Sequence, residues 1–350
     1  MSAASATSER AAELHRRALI VNGLCGSMAV PKTPDAPFDL PASMRAGGVT
    51  AVNLTISVSD GFRVTCKNLS HLLKAIDRQA GDGVRVARTV EDLTAAKAED
   101  GAAIIIGFQN SDPIEGSLEN LDLFHRLGLR IVQLTYQRRN LVADGGGEPA
   151  NGGLSLFGRE LVAELNRLGI LIDLSHTGVA SSLEAIELSE APVSITHSCL
   201  QHFNPVSRNA TDEEVKALAA KGGVFGMNGI ARLISPTGRQ EGATVAQLVD
   251  QIDYLVDLVG IDHIGIGLDI NEGLTPELFE QRRKGFLTEF PELKMGGDFP
   301  FEHYYAFGLT SMASVHLITE ELVARDYADE DVLKVLGGNF VRLLGEVWSR

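Results

Sequence analysis

Apolar and polar positions alternate along this chain in two rhythms. Short β-rich apolar runs occur at ALIV (18–21), VTAVNLT (49–55), AAIIIGF (102–108), RIVQLTY (130–136), ILIDLSH (170–176), PVSITHS (192–198), GGVFGMN (222–228) and HIGIGLD (263–269), which makes eight candidate strands. Between them lie segments of helical spacing. In SLFGRELVAELNRLG, Leu161, Val162, Leu165 and Leu168 fall on one face and Gly169 supplies a stop. Thr211 followed by Glu213 and Glu214 reads as a capped helix start.

Near-continuous apolar strands that alternate with amphipathic helices predict a parallel sheet covered on both faces. Eight such units predict an α/β fold of the (β/α)₈ TIM-barrel type, with a doubly wound open sheet as the alternative. The stretch 274–311 is irregular and contains Pro and Gly, so it reads as a long loop over the active-site face. A helical C-terminal tail follows. Residues 1–350 are expected to form one barrel domain.

Composition narrows the function. The 350 residues are 44% hydrophobic and 22% charged, an ordinary globular balance, with a net charge of −15. That charge argues against nucleic acid, whose phosphates need clustered Lys and Arg. The N-terminal stretch lacks the apolar core of a secretory signal, and no run has the roughly 18 apolar residues of a membrane span. Cys25, Cys66 and Cys199 are too few and scattered for a disulfide framework or a structural zinc cluster. The expectation is a cytoplasmic protein, with a homodimer as the oligomer considered and no nucleic acid or membrane as partner.

In a (β/α)₈ barrel the chemistry gathers at the C-terminal strand ends. Those ends carry Asn22, Gln109, Tyr136, His176, His197 and Asp269. Two histidines at successive ends set imidazoles side by side, and a carboxylate from the eighth run completes a set suited to Zn with an open position. Satisfied polar strand ends are the alternative. Arg208, in a polar loop after the sixth run, suits a bidentate clamp on a substrate carboxylate, or else a surface ion pair. Ser175 and Ser198 flank the histidines without a G-x-S-x-G elbow, and the GGG stretch lacks phosphate-loop spacing. His202 and His303 are further candidates to line the site.

Five blocks in order, GLSLFGRELVAELNRLGILIDLSHTG, APVSITHS, SRNATDEEVKALAAKGGV, LVGIDHIGIGLD and LGGNFVRLLGEVW, resemble the renal (membrane) dipeptidase family of the amidohydrolase superfamily, over about residues 18–348. The resemblance implies a metal-dependent barrel that hydrolyses dipeptides, often with a D-residue at the C-terminal position. It assigns His176 and His197 to the family's second metal, Asp269 to metal ligation and proton handling, and Arg208 to the substrate carboxylate. Departures are large. The family's D-G-H-N-D is Asn22-Gly23-Leu24-Cys25-Gly26 here, its bridging glutamate is Gln109, and a histidine that stabilises the tetrahedral intermediate is Tyr136. A neutral amide cannot offset the repulsion of two cations.

The expected cofactor is therefore one zinc ion at most, on His176, His197 and either Asp269 or Gln109. Glu115 is a distant substitute for the missing carboxylate. The expected activity is cleavage of the amide of a dipeptide or N-acyl amino acid. Asp269 and Tyr136 would be the catalytic groups, and Arg208 and Asn22 would bind a small carboxylate substrate. Two alternatives use the same residues: a metal-poor isomerase, lyase or decarboxylase, and a catalytically dead scaffold.

Overall fold

Strands form where the apolar runs lie, because runs buried on both faces satisfy their backbone only by pairing with neighbours. The computed structural model describes residues 3–289 and 299–349. Among the described residues nine strands appear in chain order: β1 (Ile20–Cys25), β2 (Val49–Ser57), β3 (Val84–Val86), β4 (Ala102–Phe108), β5 (Leu129–Gln133), β6 (Leu171–Asp173), β7 (Ser194–Ser198), β8 (Val224–Met227) and β9 (Ile264–Ile266). All pairings between them are parallel, and the β2–β4 pairing closes eight of the strands into a barrel. The fold is the (β/α)₈ barrel expected from the sequence, and each of the eight predicted runs contributes a strand.

Strand β3 is the addition. Val84–Val86 pairs with Ala102–Ile104, along the flank of β4 that β5 takes further up at Ile106–Phe108. Three residues carry too little periodicity to be read alone, and only the exposed edge of β4 makes them a strand.

Helix ends follow local chemistry. Thr211 caps helix Asp212–Ala220 in a capping box, with the Glu214 amide donating to Thr211 Oγ1 at 3.2 Å and Glu214 Oε2 accepting from the Thr211 amide at 2.9 Å. Gly169 ends helix Leu156–Leu168 at φ 65°, a left-handed conformation open to glycine at little cost.

The expectation of a loop over 274–311 is corrected in part. Residues Pro276–Glu289 form a helix, with Pro276 at its first position and Thr275 Oγ1 accepting from the Leu278 amide at 3.3 Å. Residues 290–298 of that stretch lie outside the described residues. Beyond them, 299–311 is irregular and packs beside the barrel mouth, with Tyr305 bridged to Ile230 and Ala306 to Ala243.

The C-terminal tail closes the bottom of the barrel. Helix Asn339–Trp348 packs on β1, β6, β8 and β9. Its Phe340 ring fills space left by Gly23 and Gly265, where a Cβ would lie 2.9 and 2.6 Å from ring carbons. Phe340 anchors a core cluster with Val21, Ala103, Ile131, Leu171 and Val224. Phe340→Ala is expected to cost about 3–5 kcal/mol, because backbone glycines on two strands cannot collapse into the cavity. Urea unfolding measures it, and a loss under about 1 kcal/mol would mean that the tail is not the plug.

Candidate active site

Three strand-end residues, Gln137, His176 and Asp269, sit in left-handed backbone at φ 64°, 63° and 56°. Non-glycine residues avoid this region by about 1–2 kcal/mol, so packing elsewhere must hold them there. At Gln137 and His176 the holder is the loop Gly145–Gly147. The Gly146 amide donates to His176 O and the Gly147 amide to Gln137 O, both at 2.7 Å. A Cβ at Gly147 would lie 2.8 Å from Gln137 O. The GGG stretch is thus a close-packed support under His176, with the Gly146 and Gly147 amides already taken by carbonyls.

His197 is fully buried, and a polar chain fixes its tautomer. Thr196 Oγ1 donates to Asp173 Oδ2 at 2.6 Å, so it accepts from His197 Nδ1 at 2.8 Å. Asp173 also accepts from the Ser175 amide, Ser175 Oγ and the Thr196 amide. Burial pushes the Asp173 carboxyl pKa up, and these donors oppose the shift by favouring the anion. With Nδ1 protonated, His197 Nε2 carries a lone pair into the mouth, 3.2 Å from the Gln109 side-chain nitrogen.

His176 lies beside it, the two rings 5.3 Å apart. His176 Nδ1 is 3.3 Å from Gln137 Oε1, which again leaves Nε2 as the acceptor. Tyr136 stacks on the His176 ring at 4.3 Å and 27°. Burial, then the nearby Arg208, hold both histidines well below the usual imidazole pKa. Both are neutral ligand-type imidazoles at pH 7.

Arg208 reaches the same point from the loop after β7. Its Nη2 donates to His197 O at 2.6 Å and its Nη1 to Ser198 Oγ at 3.3 Å. Asn209 secures that loop, its Nδ2 donating to Asn204 O and Leu233 O at 2.9 Å each. Asp269 follows β9, with Asn228 Nδ2 donating to its Oδ2 at 3.4 Å. Burial pushes the Asp269 carboxyl up to about 6, against the pull of Arg208, Asn228, Arg232 and Arg282. A carboxyl poised there can exchange protons near neutrality.

Several expectations change. Asn22 lies inside β1, fully buried, its Oδ1 accepting from the Leu268 amide at 2.8 Å and its Nδ2 donating to Leu24 O at 2.9 Å. Those bonds tie β1 to the end of β9 and leave the side chain no path to substrate. Glu115 accepts from the Phe62 amide at 2.8 Å, at the start of helix Phe62–Arg78, and is no metal substitute. His202 stacks on Tyr254 at 4.2 Å on the outer surface. His303 Nδ1 is 3.1 Å from Arg239 O, near the mouth. Ser175 and Ser198 serve the network around His197.

The donor set decides what metal these residues could hold. Among the described residues no three His, Cys, Asp or Glu come together as a metal group, so Asp269 stands apart from the imidazole pair. Two neutral imidazoles with the Gln109 amide beside them are donors of the kind a single divalent ion takes, and among the described residues no carboxylate joins them to bridge a second.

Asp173, Thr196, Gln137 and Arg232 were not among the expected site residues. Asp173 had a signal: it is the one charge in the run ILIDL. Thr196→Val is expected to lower kcat/KM about 10- to 100-fold, as loss of a group that orients an imidazole does. Thr196→Ser should recover most of it. Equal loss in both variants would sink the orienting role.

Comparison with known proteins gives the chain's family. The model of the membrane dipeptidase family (peptidase family M19) matches residues 9–284. The dipeptidase verJ of Clonostachys rogersoniana is 29% identical over 290 residues, which is 82% of this chain and 66% of that protein. A solved amidohydrolase of Pseudomonas aeruginosa is 34% identical with a TM-score of 0.84, over 97% of this chain and 99% of that one. A metallopeptidase of Rhodobacter sphaeroides, solved with a phosphinate mimic of L-Ala-D-Ala, shares the fold at 22% identity and TM-score 0.77, over 94% and 99% of the two chains. The chain spans 51% to 66% of the length of four curated relatives that it matches. With the family match covering most of its length, this chain belongs to the membrane dipeptidase family, peptidase family M19.

Proposed function

We propose that the chain hydrolyses the amide bond of a dipeptide or N-acyl amino acid, with one zinc ion at most. The observation that carries this reading is the convergence of two neutral imidazoles, a buried arginine and a carboxyl poised near neutrality on one barrel mouth. Family membership supports the same reaction class. Zinc would be held by His176 and His197 with Gln109 alongside, and when bound would supply Lewis-acid polarisation of the scissile carbonyl.

The protein's own groups do the rest. Arg208 holds the substrate carboxylate, with donors left over from its bonds to His197 O and Ser198 Oγ. Asp269 takes a proton from the attacking water and returns it to the leaving amine. Tyr136 keeps its phenol proton, since burial raises its pKa well above the usual value, and donates to the developing oxyanion. The cytoplasm is the proposed compartment, supported by three free cysteines, two of them fully buried. Among the described residues no helix is long and apolar enough to cross a membrane.

The test is amino-acid release from L,L- and L,D-dipeptides and N-acyl amino acids, with metal analysis of the same sample. Expected are turnover, up to one equivalent of zinc, and loss of both with His197→Ala. Turnover that ignores both a chelator and His197→Ala would overturn the reading.

A further inference from the structure

Beside the imidazole pair lies a cavity of about 440 Å³ that Arg208 shares with Arg232 and Arg239, together with Gln137, Asn204 and Ser207. Among the described residues none that lines it is acidic, in a chain whose net charge is −15. The cavity abuts the site already described, because Gln137 bonds His176 and Arg208 bonds His197.

Arg232 is the unexplained member. It comes from the short helix Ala231–Ile234 that follows β8. Its Nε is buried with no hydrogen-bond partner, and neither Arg232 nor Arg208 joins an ion pair among the described residues. The side chain is half-buried and lines the cavity, and Asp269, the carboxylate that acts on it, makes no ion pair with it, so the guanidinium stays open to an anion that enters the cavity. A bound anionic ligand would supply a partner at closer range than Asp269 does. Arg208 accounts for one carboxylate, so Arg232 calls for a second.

We infer that the substrate's C-terminal residue is acidic, an aspartate or glutamate whose α-carboxylate sits on Arg208 and whose side-chain carboxylate enters the cavity against Arg232, with Arg239 beside it. This rests on the proposed amide hydrolysis and names its substrate class. The cavity is within the size range of small-molecule sites and holds such a side chain readily. A neutral isostere would leave Arg232 unpaired, which is how a polar site rejects a near-identical substrate.

The experiment compares Ala-Glu with Ala-Gln, which match in shape and differ in charge, in both C-terminal stereochemistries. Wild type should favour Ala-Glu by about tenfold or more in kcat/KM, and Arg232→Met should collapse that ratio towards one. The charge reversal Arg232→Glu should invert the preference towards Ala-Lys over Ala-Glu. A wild-type ratio near one, or a ratio that Arg232→Met leaves intact, overturns the inference. A second measurement works without turnover: glutamate should raise the melting temperature of wild type more than glutamine or inorganic phosphate, and Arg232→Met should abolish the difference. If no dipeptide is cleaved while glutamate alone stabilises through Arg232, the hydrolase reading fails and the acidic-ligand pocket stands. Equal stabilisation by all three compounds overturns the pocket.

Discussion

Asp269→Asn is expected to lower kcat by about 10²–10⁴-fold, the usual contribution of a general acid-base group, with a smaller change in KM. The carboxyl is buried at a strand end, and its pKa is raised to about 6. Wild-type kcat/KM should therefore rise with pH through about 6 as Asp269 ionises, then level off. In Asp269→Asn that acid limb should disappear. Stability moves the other way. The native carboxyl titrates near 6 against an ordinary 3.8, so the folded state binds more protons between those values and wild-type stability falls as pH rises through the window. Asparagine carries no charge to bury. The variant should gain about 1–3 kcal/mol over wild type by pH 7 and close to nothing at pH 3.5. Chemical denaturation at the two pH values tests this. A variant destabilised equally at both, or one that keeps the acid limb, would remove Asp269 from the proton-handling role.

Arg208→Met should cut kcat/KM by about two to three orders of magnitude, as expected when one partner of a desolvated charge pair is removed. Most of the loss should fall on KM, because the carboxylate contact is present in both ground and transition states. Some should fall on kcat, since Arg208 also holds His197 through its carbonyl. Arg208→Lys should not restore the activity. One ammonium cannot span His197 O, Ser198 Oγ and a substrate carboxylate in the planar geometry of a guanidinium. The decisive comparison is a dipeptide against its C-terminal amide. Wild type should prefer the free carboxylate strongly, and Arg208→Met should lose that preference. A preference unchanged in the variant would move carboxylate recognition elsewhere in the mouth.

How much of the site could be read in advance differs from residue to residue. His176, His197 and Asp269 were legible because strand ends of a parallel barrel converge, so polar residues closing apolar runs are forced towards one face, whereas Arg208, in a loop, stood out only through the family resemblance. Asn22 misled for the same reason. Its apolar run ends at Val21, yet β1 continues to Cys25 and leaves Asn22 inside the barrel. Arg232 was hidden in the apolar stretch GIARLI and gains meaning only from what surrounds it. Helix Pro276–Glu289 was obscured by the charged, Pro- and Gly-containing stretch around it.

The sequence by itself determined what depends on near neighbours: eight apolar runs, the caps at Thr211 and Gly169, and the barrel class. Each follows from side-chain type within a few positions. Tertiary structure decided what depends on distant segments meeting. It paired β3 with β4, plugged the barrel with Phe340, and passed the Asp173 carboxylate through Thr196 to fix the His197 tautomer. It also buried Asp269 enough to move its pKa and left Arg232 Nε without a hydrogen-bond partner beside the cavity. Burial and charge proximity are properties of the assembled mouth, set by groups that come from opposite ends of the chain.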